Sequence, residues 1–152
     1  MKKLTIFLLS SVLLFGAAAC SDNAKTSADA PDSTQATPEA PKTESVQKTK
    51  QDATDETRRR QLNADIKARE ERNNITGGDT KRADGDLKSE VRSKLEANLP
   101  DSQLTVEAED GVVVVAGTVL KQEQLAKIEP LAKEIKGVKN VNVKATVAAP
   151  KP

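Results

Sequence analysis

The sequence has no tryptophan, tyrosine or histidine, a single cysteine and two phenylalanines in 152 residues. Both phenylalanines, Phe7 and Phe15, lie in an apolar run at the start. Whatever folds downstream must build its core from Val, Leu, Ile and Ala, which bury less area per residue than aromatic rings do. The missing histidine removes the commonest general base and the commonest metal ligand. No lysine or carboxylate pairing stands out in its place, so the expectation is a protein without catalytic residues, metal or cofactor. The missing aromatics also remove the platforms on which single-stranded bases stack. Charge gives no nucleic-acid footprint either. Lys and Arg number 24 against 23 Asp and Glu, net +1, and without residues 1–19 the balance is 22 against 23, net −1.

The lone cysteine, Cys20, follows Lys2 and Lys3, a run from Leu4 to Ala19 broken only by Thr5, Ser10 and Ser11, and the small residues Gly16 to Ala19. That apolar run has the length of a secretory signal core and falls short of the roughly 20 residues of a spanning helix. Three uses of the thiol compete. A catalytic thiol needs a base, and there is no histidine. A disulfide would have to join two molecules. An attachment point needs neither. The stretch resembles a bacterial lipoprotein signal (residues 1–19), which implies cleavage before Cys20 and a diacylglyceryl group on its sulfur. Two or more acyl chains hold a protein stably to a bilayer, where one does not. The resemblance thus implies a lipid-anchored protein of the bacterial cell envelope facing the periplasm. Ser21 at the second mature position, by that family's sorting rule in enterobacteria, implies the outer membrane.

Residues 20–51 are rich in Pro, Ser, Thr, Ala, Asp and Lys, and Val46 is their one large apolar residue. Such a stretch cannot build a core and reads as a disordered tether. Residues 52–76 read as a helix with opposite charges at i,i+4 in Glu56/Arg60, Asp65/Arg69 and Lys67/Glu71. Its only large apolar residues before Ile75 are Leu62 and Ile66, too few for a core-facing stripe, so a solvent-exposed helix is expected. A linker, 77–85, follows.

Residues 86–147 carry a tighter pattern. Leu87, Val91 and Leu95 recur on one helical face. Leu104, Val106 and Ala108 alternate with polar residues, Asp110-Gly111 marks a hairpin, and Val112 to Val119 is a nearly continuous β-branched run. Leu125, Ile128, Leu131, Ala132 and Ile135 form a second helical stripe, interrupted outside it by Pro130, and Val141, Val143, Ala145 and Val147 alternate as a last strand. The expected fold is α+β, a single α-β-β-α-β module with a three-stranded sheet and both helices on one face. Residues 148–152 form a tail. Gly111 suits the turn, Gly117 a bulge or close approach and Gly137 a helix C-cap, all structural roles.

Asp110-Gly111-Val112-Val113, Gly117 with Val119, and Gly137-Val138 followed by Val141 resemble a BON domain, a module of bacterial osmotic-stress and envelope proteins. The resemblance implies this element order and binding of phospholipid or envelope partners without catalysis. It differs in having one copy of the module and in Pro130. Lys88 and Arg92, one turn apart on the flank of the first helix, are the candidate headgroup-binding pair. Two functions follow: an anchored module that binds anionic phospholipid or supports the envelope under stress, or a tethered module docking an envelope or cell-wall protein.

Overall fold

The computed structural model describes residues 23–76 and 82–152. The lipoprotein-type signal, Cys20 and most of the 77–85 linker lie outside those residues. The chain runs β1 (Ala24–Lys25), α1 (Thr43–Thr54), α2 (Glu56–Thr76), α3 (Asp84–Asn98), β2 (Gln103–Glu109), β3 (Val112–Val119), α4 (Gln122–Lys133), β4 (Asn140–Val143) and β5 (Thr146–Val147). The architecture is α+β, as the pattern predicts. The sheet, however, has five strands rather than three, and it is mixed.

β3 is central. It pairs antiparallel with β2 through the Asp110-Gly111 turn, where both residues have positive φ (50° and 86°). It pairs in parallel with β4 and β5, because α4 carries the chain back along the sheet between them. The last strand, expected as one, is split at Lys144-Ala145. The unbroken register places these two residues opposite Ala116-Gly117, where Gly117 (φ 125°) bends β3.

The core lies between the sheet and the two helices α3 and α4. Leu87, Val91 and Leu95 of α3 meet Leu104, Val106, Val113, Val115 and Val119 of the sheet, with Ile128, Ala132 and Ile135 closing the other side. All of these are at most 3% exposed. The helical stripe across Pro130 therefore holds. The proline is exposed, where its ring faces water, and α4 ends at Lys133, short of the expected Gly137 cap.

Residues 20–51, expected as a free tether, differ most. Over its described part this segment lies along the sheet. β1 pairs with β2 at Ala24↔Val106 and Lys25↔Thr105. Thr26 donates its N–H to the Leu104 carbonyl (2.8 Å), and its hydroxyl accepts from the Leu104 N–H (2.9 Å). The chain then crosses the sheet face opposite the helices. Thr105 donates to the Pro31 carbonyl, Thr34 to Glu107 and Gln103 to Ser45. Thr105, Ala116 and Thr118 are buried beneath it. Thr43 N–H and the Pro41 carbonyl then pair with Lys151 (2.8 Å each), so the strap also ties down the C-terminal tail. These bonds are polar and long-range, and hydrophobic patterning carries no trace of them.

The charged helix is also not free in solvent. α1 and α2 break at Asp55, and α2 docks across α3. Leu62 is 1% exposed. Burial of one leucine stabilises by about 2 kcal/mol, and a ladder of ion pairs does the rest. Arg58 grips Glu96 with two bonds (2.6 and 2.9 Å), and Asp65 accepts from Ser93 (2.8 Å). Asp86 accepts from Arg69 (2.5 Å) and Arg72 (2.8 Å). The three i,i+4 pairs foreseen along the helix are also present.

Gly117 is the position least open to change. A Cβ there would collide with the Gln103 carbonyl on β2, and the φ of 125° disfavours any L side chain. Gly117→Ala is expected to destabilise the domain by about 2–4 kcal/mol, at the high end for strained glycine sites. Chemical denaturation followed by far-UV circular dichroism measures it. A change below 1 kcal/mol would contradict the close approach.

Candidate functional site

Four chain segments meet at one end of the sheet. The N-terminus of α3 touches the β2–β3 turn where Asp84 Oδ1 accepts from the Asp110 N–H (2.9 Å). The loop from α4 to β4 joins them. Lys139 donates its backbone N–H to the Gly111 carbonyl (2.8 Å) and its Nζ to the Asp110 carbonyl (3.1 Å). The C-terminal turns of α2 arrive through Arg72 and Asp86. Between them lies a shallow cleft of about 370 Å³, lined by Arg82, Asp84, Asp110, Gly111, Gly137 and Lys139.

Under this end is a buried ion pair. Arg82 (2% exposed) donates to Glu90 (0% exposed) across 2.5 Å, and also to the Lys136 carbonyl across 2.7 Å. Gly137 makes room for it, since a Cβ there would meet Arg82 Cδ at 2.6 Å. That close approach is the role of Gly137, in place of the expected helix cap. The second carboxylate oxygen of Glu90 has no partner among the described residues. Burial pushes the Glu90 carboxyl above the ordinary carboxylate value, with the Arg82 hydrogen bond and charge opposing it.

The two cations singled out in the sequence are placed differently from one another. Arg92 bonds Glu96, one turn further along α3, at 2.8 Å and approaches Asp65 of α2 at 3.8 Å. Lys88 is half-buried on the same helix. For Arg92 to meet a phosphate, its bonds within the α2–α3 ladder would have to be exchanged. Exposed cations lie instead on the other half of the domain. Residues 119–152 hold seven lysines against three glutamates, net +4, while residues 82–118 hold four cations against eight acids, net −4. Lys136, Lys139 and Lys144 are exposed on this basic side. The polarity is present in the sequence, but it becomes a surface only because α4, β4 and β5 are neighbours. Among the described residues no group of three His, Cys, Asp or Glu side chains could hold a metal, and no helix is long and apolar enough to cross a membrane.

The Arg82–Glu90 pair generates a pH and mutation prediction. Removing one partner of a buried pair leaves the other charge uncompensated, so Glu90→Ala should cost about 3–5 kcal/mol. Replacing both, Arg82→Met with Glu90→Leu, should be neutral or stabilising. Because the folded-state pKa of Glu90 is raised, its contribution to stability is full below the ordinary carboxylate value of 4.5 and is lost as pH rises through the raised value. Denaturation midpoints measured from pH 4 to 8 should therefore show a decline in the native protein that is flattened in the double variant.

The model of the BON domain matches residues 83–149. Osmotically-inducible protein Y of Escherichia coli (strain K12) is 44% identical over 55 residues, which are 35% of this chain and 27% of that protein. The chain thus spans about a quarter of the length of the curated relative it matches. No solved structure matches at a significant level. The matched stretch begins at the foot of α3 and ends just past β5, so it takes in both core helices and the β2–β5 part of the sheet, and leaves β1, the strap, α1 and α2 outside it. Residues 83–149 of this chain are a BON domain.

Proposed function

We propose that the chain is a lipid-anchored protein of the bacterial envelope with a stress-related role, whose BON domain presents a lysine-bearing side to anionic phospholipid headgroups. The observation that carries the anchor is the position of Cys20, the sole cysteine, directly behind an apolar run with a basic start and small residues at its end. The stress role is supported by the name of the E. coli relative, which describes osmotic induction. Binding rather than chemistry is supported by a domain whose glycines Gly111, Gly117 and Gly137 serve turns and close contacts and whose two buried acids, Glu90 and Glu96, are each paired to arginine.

For headgroup contact the polarised charge of the domain favours Lys136 and Lys139 over Lys88 and Arg92. Exposed lysines near an anionic surface contribute on the order of 1 kcal/mol each. The free edge of β4 gives the second reading its own support. Among the described residues β4 pairs only with β3, and its alternating Asn140, Val141, Asn142 and Val143 offer a protein partner an open strand.

Metabolic labelling with a fatty acid tests the anchor. The native chain should take up label and Cys20→Ser should not; label retained by the serine variant would refute lipidation at this residue. The unanchored Cys20→Ser protein then tests the headgroups. It should co-sediment with vesicles containing phosphatidylglycerol in a salt-sensitive manner, since exposed charges are screened over about 8–10 Å at physiological ionic strength. Lys136→Glu with Lys139→Glu should weaken that binding by several-fold to a few hundred-fold. Binding unchanged by the double variant would remove this side from consideration, and no binding by the parent would favour a protein partner at β4.

A further inference from the structure

We infer that the anchor holds the domain end-on against the bilayer, with the β2–β3 turn and the end of α2 as the membrane-facing surface. The inference rests on lipidation of Cys20 and adds an orientation to it. It starts from the strap. A free tether of about 30 residues would let the domain range over a mean distance on the order of 30 Å. Pairing of Ala24 and Lys25 with β2, and the two bonds between Thr26 and Leu104, fix the chain to the sheet from Ala24 on, and three peptide units separate Asn23 from Cys20. Three peptide units span at most about 11 Å. The acyl chains are therefore confined to the neighbourhood of Asn23.

Asn23 lies in a groove with Asp110, Val112 and Val114, beside the β2–β3 turn. β1 runs antiparallel to β2, so its N-terminal end, at Ala24, is the end nearer that turn. The same end gathers the C-terminus of α2 through Arg72 and Asp86, and the α4–β4 loop through Lys139 and Gly111.

What this end exposes fits a bilayer surface. Among the described residues three large apolar side chains are exposed, and two of them are here: Ile75 at 85% and Val112 at 42%. Both could enter the headgroup layer once the acyl chains hold the domain down. Exposed at the same end are Lys139, bonded to Gly111 and Asp110 of the turn, and Lys136, whose carbonyl accepts from Arg82. The acids at this end are partly spent: Asp84 accepts from the Asp110 N–H, and Asp86 is bonded by Arg69 and Arg72. Glu109 and Asp110 offset the two lysines, so the acyl chains, not net charge, supply the force that holds this face to the membrane.

The full mature protein, acylated at Cys20, tests this after reconstitution into phosphatidylethanolamine–phosphatidylglycerol vesicles that contain a nitroxide-headgroup lipid. With Cys20 acylated, an introduced cysteine is the reactive thiol available to a fluorophore. Val112→Cys reports the anchor end. Gln122→Cys reports the opposite end, about 25 Å away along β3. Quenching should be several-fold stronger at 112 than at 122. Thr26→Pro, which removes the N–H and the hydroxyl that bond Leu104, should release the strap and bring the two positions to the same low level. Equal quenching at both positions in an acylated protein would overturn the orientation while leaving the anchor standing. Protein that carries no acyl chain would overturn the anchor reading, and the orientation with it.

Discussion

The fold depends on β3 being buried on both sides with no aromatic ring among the described residues to do it. On one side Val113, Val115 and Val119 pack against α3 and α4 with aliphatic partners only. On the other side Ala116 and Thr118 are buried beneath the strap, which is held there by hydrogen bonds from the neighbouring β2 residues Gln103 and Thr105. An aliphatic core of this size buries limited area, and small domains are correspondingly marginal. The strap and α2 extend the folded unit beyond the BON domain proper, one on each side of the sheet-and-helix sandwich.

The two extensions use different physics. The strap is held by backbone and hydroxyl bonds to β2 and to Lys151, in a setting where buried polar groups must find partners. α2 is held by one buried leucine and by charges, with Arg58, Asp65, Arg69 and Arg72 set against Glu96, Ser93 and Asp86. Pairs that retain partial solvent contact weaken with salt, and buried ones less so. On the proposed lipidation of Cys20, the strap shortens the chain between the anchor and the domain, and this is what would give the anchor a direction.

Much of this was legible in the sequence where burial dictates pattern. The stripes Leu87/Val91/Leu95 and Ile128/Ala132/Ile135, the Asp110-Gly111 turn and the β-branched run are each imposed by a local period or by a positive φ, and each is found where it was read. The parallel pairing of β3 with β4 was not, because strand direction is set by the path of α4. The strap was missed for a plainer reason. Thr26, Thr34 and Ser45 look the same in a disordered linker as in a segment bonded to a sheet, and only their partners 58 to 78 residues away distinguish the two. Arg92 illustrates the same limit from the other direction. Its spacing from Lys88 makes a plausible anion site, but Glu96 one turn on along α3 takes up its guanidinium, and Asp65 joins once α2 is docked.

Whether residues 23–45 belong to the fold is thus the point on which the account turns, and amide hydrogen exchange measures it residue by residue. With the strap docked, the N–H groups of Thr26 and Thr43, bonded to Leu104 and Lys151, should exchange slowly, as should Lys151, bonded to Pro41. Their protection should exceed that of Asp32, Thr37 and neighbouring strap residues whose amides face solvent. Exchange at unfolded-chain rates from Asn23 to Lys42, alongside protected amides in β2 and β3, would return the segment to a free tether and remove the directed anchor.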